Sequence, residues 1–309
     1  MNAEATLGAP AQFELDPLDN ADVSGRRKWR SGSSAVQTFF EHRLAIVGLV
    51  IAIGMVLFCF VGPLIYHTDQ VNDNLSQVMR PPSSRFPLGT DALGHNVLGR
   101  LMVGGQSSIE MGIAAAFLAS IVGTIWGAVA GFVGGAVDAA MMRVVDTLLA
   151  IPTLLLMLMV ASIFTPTIPV LILALTMVSW LVTARLVRAE ALSLRSQEYV
   201  QAAVSCGSRR WRIVFRHIIP NAAGTIVVQT TFQIANAILL LAALSFLGLG
   251  PPPPATNWGE MLTNGLTYIY AGAWWLIYPA GIAIVLTVLS FNFLGDALRD
   301  ALDVRLQRR

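Results

Sequence analysis

The chain has 309 residues, of which 55% are hydrophobic and 12% charged, with a formal net charge of +2. A soluble domain carries about twice that share of charge, so the composition indicates a helical membrane protein, and the scattered cations form no basic patch for nucleic acid. The single lysine, Lys28, excludes a phosphate loop of the G-x-x-x-x-G-K-[ST] type, so any ATP-driven work has to come from another chain.

Residues 1–34 are polar, acidic at Glu4, Glu14, Asp16, Asp19 and Asp22, then basic from Arg26 to Arg30. With no early apolar core this is not a cleaved signal peptide. It reads as a cytoplasmic tail, extending to residue 43 with a short surface helix at 36–43. The first span is expected at 44–66, long enough for a bilayer. Residues 67–106 then lie outside and are rich in turn formers. His95 has no second His or Cys at ligand spacing and reads as a hydrogen-bonded loop histidine.

The second span is expected at 107–132. Gly123, Gly127, Gly131 and Gly135 recur every four residues, a stripe that lets another helix approach closely. The third, at 141–164, carries Arg143 and Asp146 at ion-pair spacing, and Pro152 should kink it. A short outer turn leads to the fourth span, 170–184, with Thr176, Ser179 and Thr183 along one side.

Residues 185–220 interrupt the apolar pattern with seven arginines, which marks a cytoplasmic loop. Within it, Glu198 to Cys206 is an amphipathic run in which Tyr199, Val200, Ala203 and Val204 fall at helical spacing. Gly207 breaks it. A second short run spans Arg209 to His217, and Pro220 suits the first turn of the next helix. The reading is helix, glycine corner, helix, then membrane span.

The fifth span, 221–248, holds Thr225, Gln229, Gln233 and Asn236 on one face. An unpaired amide in hydrocarbon costs about 2–7 kcal/mol, so that face must look at protein or water. It is read as the lining of a translocation path, with interhelical hydrogen bonding as the alternative. Residues 250–275 are outside. Pro251 to Pro254 form a stiff spacer, and a small helix is expected at 258–266. Trp258, Tyr268, Tyr270, Trp274 and Trp275 suit an interfacial aromatic belt. The last span is 274–294, and 297–309 is a cytoplasmic tail.

This six-span, all-α drawing puts 17 of the 20 Lys and Arg residues inside and three outside, which fixes both termini in the cytoplasm. Cys59 and Cys206 fall in a span and an inner loop, so no disulfide is expected. The four histidines lie in loops or flanks and no H-E-x-x-H occurs, which argues against an intramembrane enzyme. A proton-coupled carrier would show a series of intramembrane carboxylates, and only Asp146 offers itself.

Gln201-Ala202-Ala203, three residues, Gly207, nine residues, then His217-Ile218-Ile219-Pro220 resembles the EAA loop of ABC-importer permease subunits, E-A-A, three, G, nine, I-x-L-P. Gln201, His217 and Ile219 depart from the pattern in residue type while the spacing holds. FRHIIPN (215–221), LSFLGLGPPPPATNWGEML (244–262) and FPLGTDALGHNVLGRL (86–101) are similar to the C-type subunit of dipeptide and oligopeptide permeases, a likeness covering about residues 39–300. The resemblance implies a type I importer permease core at 107–296 in the inner membrane of a prokaryote, without an ATPase site of its own. It implies a second homologous permease subunit, two ATPase domains that hold ATP and Mg, and an extracytoplasmic solute-binding protein. No cofactor is expected in this chain. Coupling to the ATPase would fall to Tyr199, Val200, Gln201, Ala202, Ala203, Val204, Gly207, Arg209 and Arg210. The implied cargo is a di- or oligopeptide, with nickel, haem or another small solute as the alternative.

Overall fold

The computed structural model describes residues 42–306, so the amino-terminal tail, up to residue 41, and its basic cluster lie outside the described residues. The first helix, α1 (Arg43–Phe60), is continued by a turn at Gly62–Ile65. Next come α2 (Val97–Val133), α3 (Gly135–Leu149), α4 (Thr153–Ile163) and α5 (Ile168–Arg195). Two short helices, α6 (Glu198–Ser205) and α7 (Arg210–Ile213), precede α8 (Ala223–Leu244). After α8 come α9 (Trp258–Leu266) and α10 (Tyr278–Leu306). Five helical segments among the described residues are long and apolar enough to cross a membrane, and α3 with α4, bent by 84° at their junction, makes a sixth if the pair counts as one span. The bend falls where Pro152 caps α4, because a proline pushes the residue before it out of helical backbone. The kink expected at Pro152 is therefore a full corner.

The bundle is built on α2 against α5. Glycines of α2 meet the α5 backbone directly. A methyl group on Gly123 would stand 2.6 Å from the Trp180 carbonyl, and one on Gly131 2.6 Å from the Arg188 carbonyl. Gly127 abuts Ala184 and Arg188 between them. Interfaces of this kind gain from dispersion and close backbone contact, since lipid gives apolar side chains no reason to leave it. The expected stripe ends at Gly131, not Gly135. Gly134 and Gly135 have φ of +69° and +58°, so the chain leaves the helix there through backbone that glycine alone adopts cheaply.

Two helices differ in extent from the sequence reading, for one reason. The second span starts at Val97 instead of 107, because Asn96 caps it, its side chain accepting from Leu98 N–H at 2.9 Å and Gly99 N–H at 3.3 Å. Arg100, which looks like loop, is 7% exposed on that first turn. The fourth span runs on from 184 to Arg195. Its last turns carry arginines on one side while Val187 and Ala191 are buried against Ala128 and Phe132 of α2. In both places polar residues belong to a helix that is still packed on its protein neighbours.

Around this pair, α8 packs on α2, α5 and α10, and α1 lies along the rim against α10, where Gly48 admits Phe293. The outer helix α9 forms over the expected residues, but Trp258 does not join the aromatic belt. It is fully buried and its indole N–H donates to the Leu101 carbonyl at 2.9 Å. Tyr270 and Trp274 are exposed.

Gly127→Val should lower the thermal unfolding midpoint of the purified assembly, by an amount equivalent to about 1–3 kcal/mol, as overpacking does in a tight interface. Gly54→Val in α1, where an added Cβ meets nothing within 4 Å, should leave the midpoint in place.

Candidate functional site

At the cytoplasmic end the chain makes an elbow. The helix α5 ends at Arg195, Gln197 turns to extended backbone (φ −71°, ψ 142°), and α6 begins. Its exit is a Schellman cap: Ser208 N–H donates to the Ala203 carbonyl at 3.1 Å and Gly207 N–H to that of Val204 at 2.9 Å. Gly207 sits at φ +73° with open space where a Cβ would point. The need for glycine is thus conformational, a left-handed residue, and not steric. After α7, a wide helical turn at Val214–Ile218 and a turn at Ile219–Asn221 lead into α8.

The elbow has an inner and an outer face. Val200, Ile213, Val214 and Ile218 are buried against Ala128, Phe132, Val187 and Ala191, and Ala203 is half-buried beside them. Val200, read from the sequence as part of a docking face, points back into this chain. Tyr199, Gln201, Ala202, Val204, Arg209 and Arg210 are exposed. So are Trp211 and Phe215, whose rings stack with centroids 5.6 Å apart. An elbow buried on one side and bare on the other can carry a push from whatever covers it into α5 and α8.

Two Asp–Arg pairs lock α3 to α5 above the elbow. Arg188 donates to both carboxylate oxygens of Asp138, at 2.5 and 2.6 Å, the fork geometry that arginine favours. Arg185 donates to Asp146 from Nη2 at 2.6 Å and from Nε at 3.2 Å. The pairing expected between Arg143 and Asp146 is replaced, because Asp146 faces α5, where a guanidinium reaches it.

Near the cytoplasmic start of α8 lies a cavity of about 740 Å³, bordered by Glu190 of α5, by Asn221, Thr225, Gln229 and Phe232 at and along α8, and by Arg299 of α10, with apolar side chains such as Leu186, Val228 and Leu298 making much of the rest of its wall. Thr225 and Gln229, from the polar face foreseen on the fifth span, therefore border an open space. Gln233 does not. It is 3% exposed, its amide N–H donates to the Ser179 carbonyl, and its Oε1 accepts from Thr183 at 3.2 Å. Asn236 is exposed and not part of the cavity wall. One polar stripe is thus divided: its inner half faces the cavity, and Gln233 joins α8 to α5. Glu190 and Arg299 were missed, since each reads as an ordinary charge at a helix end. Asp138–Arg188 was missed because 50 residues separate the partners.

At the outer end a buried charged cluster joins the 67–96 segment to α9. Arg100 Nη1 donates to His95 Nδ1 at 2.9 Å, and Arg100 also reaches Asp91 at 3.6 Å and Glu260 at 3.7 Å. His95 Nδ1 also lies 3.4 Å from the Asp91 carboxylate, and its Nε2 lies 3.5 Å from that of Asp73. Burial raises the Glu260 carboxyl above the ordinary glutamate range, and Arg100 opposes the rise. From the same region Asn257 donates to Ser245 Oγ at 2.8 Å and Thr263 to the Phe246 carbonyl at 2.9 Å, tying α9 to the outer end of α8.

Gln233→Ala should cost about 1 kcal/mol, the scale of interhelical hydrogen bonds in membranes, and lower the unfolding midpoint, whereas Gln229→Ala should not. A second expectation concerns pH. A carboxyl whose folded value is raised favours the fold in its protonated form, so its stabilisation is present at low pH and fades as pH climbs from the ordinary value of 4.5 through the raised one. Glu260→Gln should therefore be more stable relative to wild type as pH rises, in midpoints measured across that range. A gap that does not vary with pH would contradict this placement of the carboxyl.

Comparison with known proteins agrees with this architecture. The model of the family "Binding-protein-dependent transport system inner membrane component" matches residues 123–308, and that of the "N-terminal TM domain of oligopeptide transport permease C" matches residues 32–82. The chain is 40% identical over 307 residues to an oligopeptide transport system permease protein, OppC, of Bacillus subtilis, covering 99% of each chain. It is 37% identical to a dipeptide transport system permease protein, DppC, of Alkalihalophilus pseudofirmus, covering 90% of each. Among solved structures, an inward-facing MetNI methionine ABC transporter chain superposes with a TM-score of 0.54 at 20% identity, over 68% of this chain and 97% of that one. At that identity the likeness concerns the fold alone. With a family model covering more than half of its length and a relative matched end to end, this multi-pass membrane chain belongs to the family of binding-protein-dependent transport system inner membrane components.

Proposed function

We propose that the chain is the permease subunit of an ABC importer and forms half of the path by which di- or oligopeptides cross the cytoplasmic membrane. The observation that carries this reading is the end-to-end likeness to OppC. The geometry supports it. The helices leave a cavity on one side of α8, which a second, homologous permease subunit would close. The bare side of the elbow is a surface for an ATPase. Tyr199, Gln201, Ala202, Val204, Arg209 and Arg210 would make that contact, while Val200, Ala203 and Gly207 hold the elbow in shape. ATP and Mg would sit on two ATPase domains, and an extracytoplasmic binding protein would deliver cargo over α9. Thr225 and Gln229 would line the path.

In this arrangement ATP-driven closure of the ATPases moves α6, and the motion enters the membrane through α5 on one side of the elbow and α8 on the other. An importer of nickel or haem would use the same mechanics. Peptide is preferred because the relatives OppC and DppC are named as oligopeptide and dipeptide permeases.

The test is uptake of labelled trialanine into proteoliposomes holding the full complex and its binding protein. Val204→Asp should leave assembly intact and cut uptake by about 30-fold, the equivalent of removing one interface anchor worth roughly 2 kcal/mol. Gly207→Val should behave likewise, whereas Gly207→Asn, which tolerates positive φ, should retain most uptake. Normal uptake by Val204→Asp would remove the elbow from the coupling route, and uptake of nickel or haem without trialanine would replace peptide as cargo.

A further inference from the structure

The charged cluster at the outer end closes around one imidazole. The His95 side chain is 3% exposed, and charged groups from three elements surround it. The extracytoplasmic segment supplies Asp73 and Asp91, α2 supplies Arg100, and α9 supplies Glu260, which meets Arg100. Asp69 acts on the ring only through its field, since its carboxylate is occupied by the Asn72 backbone and side-chain amides and the Val71 N–H, which hold it down at about 2. The two ring nitrogens are placed differently. Nδ1 lies 2.9 Å from Arg100 Nη1 and 3.4 Å from Asp91 Oδ2. A guanidinium only donates and a carboxylate only accepts, so Nδ1 can satisfy one of them at a time, and its proton decides which. Asp91 is held in place for this, because its Oδ1 accepts from the Leu93 and His95 N–H groups at 2.9 and 2.8 Å. Nε2 is buried without a hydrogen bond, 3.5 Å from Asp73 Oδ1. A buried polar atom left unpaired is costly, and the Asp73 side chain, 55% exposed, is free enough to close that gap.

We propose that His95 is a proton-operated clasp at the outer end of the chain. With Nδ1 bare, the ring accepts from Arg100 and joins the extracytoplasmic segment to α2. With both nitrogens protonated, it is a cation held between Asp91 and Asp73, and Arg100 turns from it to Glu260. The charges favour the exchange: three carboxylates stand against one guanidinium, and a surplus of negative charge stabilises an imidazolium. Arg100 Nη2 is already 3.7 Å from Glu260 Oε1, so a movement of less than about 1 Å completes a hydrogen bond. Acid thus draws residues 69–77 onto 91–95 and α9 onto α2. The grip on α9 has a lower limit. Glu260 must be ionised to receive Arg100, and burial holds its carboxyl above the ordinary 4.5 while Arg100 opposes the rise. This grip is present above the Glu260 titration and is lost as pH falls through it. In the importer reading above, cargo arrives over these elements, and the clasp adds a dependence on external acidity.

The test uses the full chain in its assembled complex in nanodiscs. Amide hydrogen exchange of residues 69–77 and 258–266 is followed by mass spectrometry, with rates corrected for the intrinsic effect of pH. Protection of both segments should rise by about tenfold between about pH 8 and pH 5.5, the interval in which imidazole changes charge. Asp73→Asn, a change at an exposed side chain, should keep the fold and remove most of the rise in 69–77. Glu260→Gln should remove the rise in 258–266 alone. The ring is read directly from nitrogen-15 resonances of labelled histidine, assigned with His95→Gln. Nδ1 should pass from bare to protonated over the same interval, with its midpoint moving down in Asp73→Asn and up in Arg100→Gln. Protection that does not vary with pH, an equal rise in Asp73→Asn and the wild type, or an Nδ1 that keeps one protonation state overturns the clasp. None of these readouts involves uptake, so their failure leaves the peptide reading standing, and a failure of peptide uptake leaves the clasp.

Discussion

Everything in this molecule leans on the approach of α2 to α5. Three glycines on α2 bring the two backbones into direct contact, and each added Cβ there would collide with carbonyls, which cannot swing aside as a side-chain tip can. The contact is long because both helices are long, 37 and 28 residues. Each is longer than the roughly 20 residues a bilayer requires. The pair is therefore a beam, with the elbow at one end and the Arg100 cluster at the other.

At the inner end the beam carries the elbow. The apolar side of α6 and α7 closes onto the last turns of α5 and α2, and the paired Asp–Arg contacts bind α3 to the same helix. At the outer end Arg100, on the first turn of α2, gathers His95, Asp91 and Glu260 and so fastens the extracytoplasmic segment and α9 to the beam. Hydrocarbon between the two ends would penalise such charges, and they are confined to the ends, where water or protein satisfies them. The helix α8 leaves the elbow directly, is held to α5 by Gln233, and is tied to α9 at its outer end. It is the element with attachments at every level.

Much of this was legible in the sequence, and the part that was not has a common cause. Apolar length gave the spans, the four-residue glycine interval gave the tight contact, and Gly207 gave the corner, because these are local signals. Polarity was the misleading one. Residues 97–106 and 185–195 look like loop by charge, yet they are helix buried on one side by partners distant in sequence. Trp258 looked like an interfacial anchor and is core, since the space made by Gly105 is visible only in three dimensions. Gln233 and Gln229 share a face by periodicity, and only the position of α5 separates the residue that bonds to it from the one that borders the cavity. The Asp138–Arg188 pair carries no sequence signal at all, because ion-pair rules on one helix reach three or four residues.

The claim that α2, α3 and α5 move as one body with the elbow is open to direct measurement. Nitroxide labels at Ala139 of α3 and Gln201 of α6, both exposed, in a Cys206→Ser background, report the separation inside that body by pulsed electron resonance. The nucleotide-free complex and the complex trapped with ATP should give the same distance distribution, while the separation of Gln201 from its counterpart on the partner permease shifts. A change within the Ala139–Gln201 pair as large as the change between subunits would show that the elbow flexes on its own, and the beam would then transmit nothing.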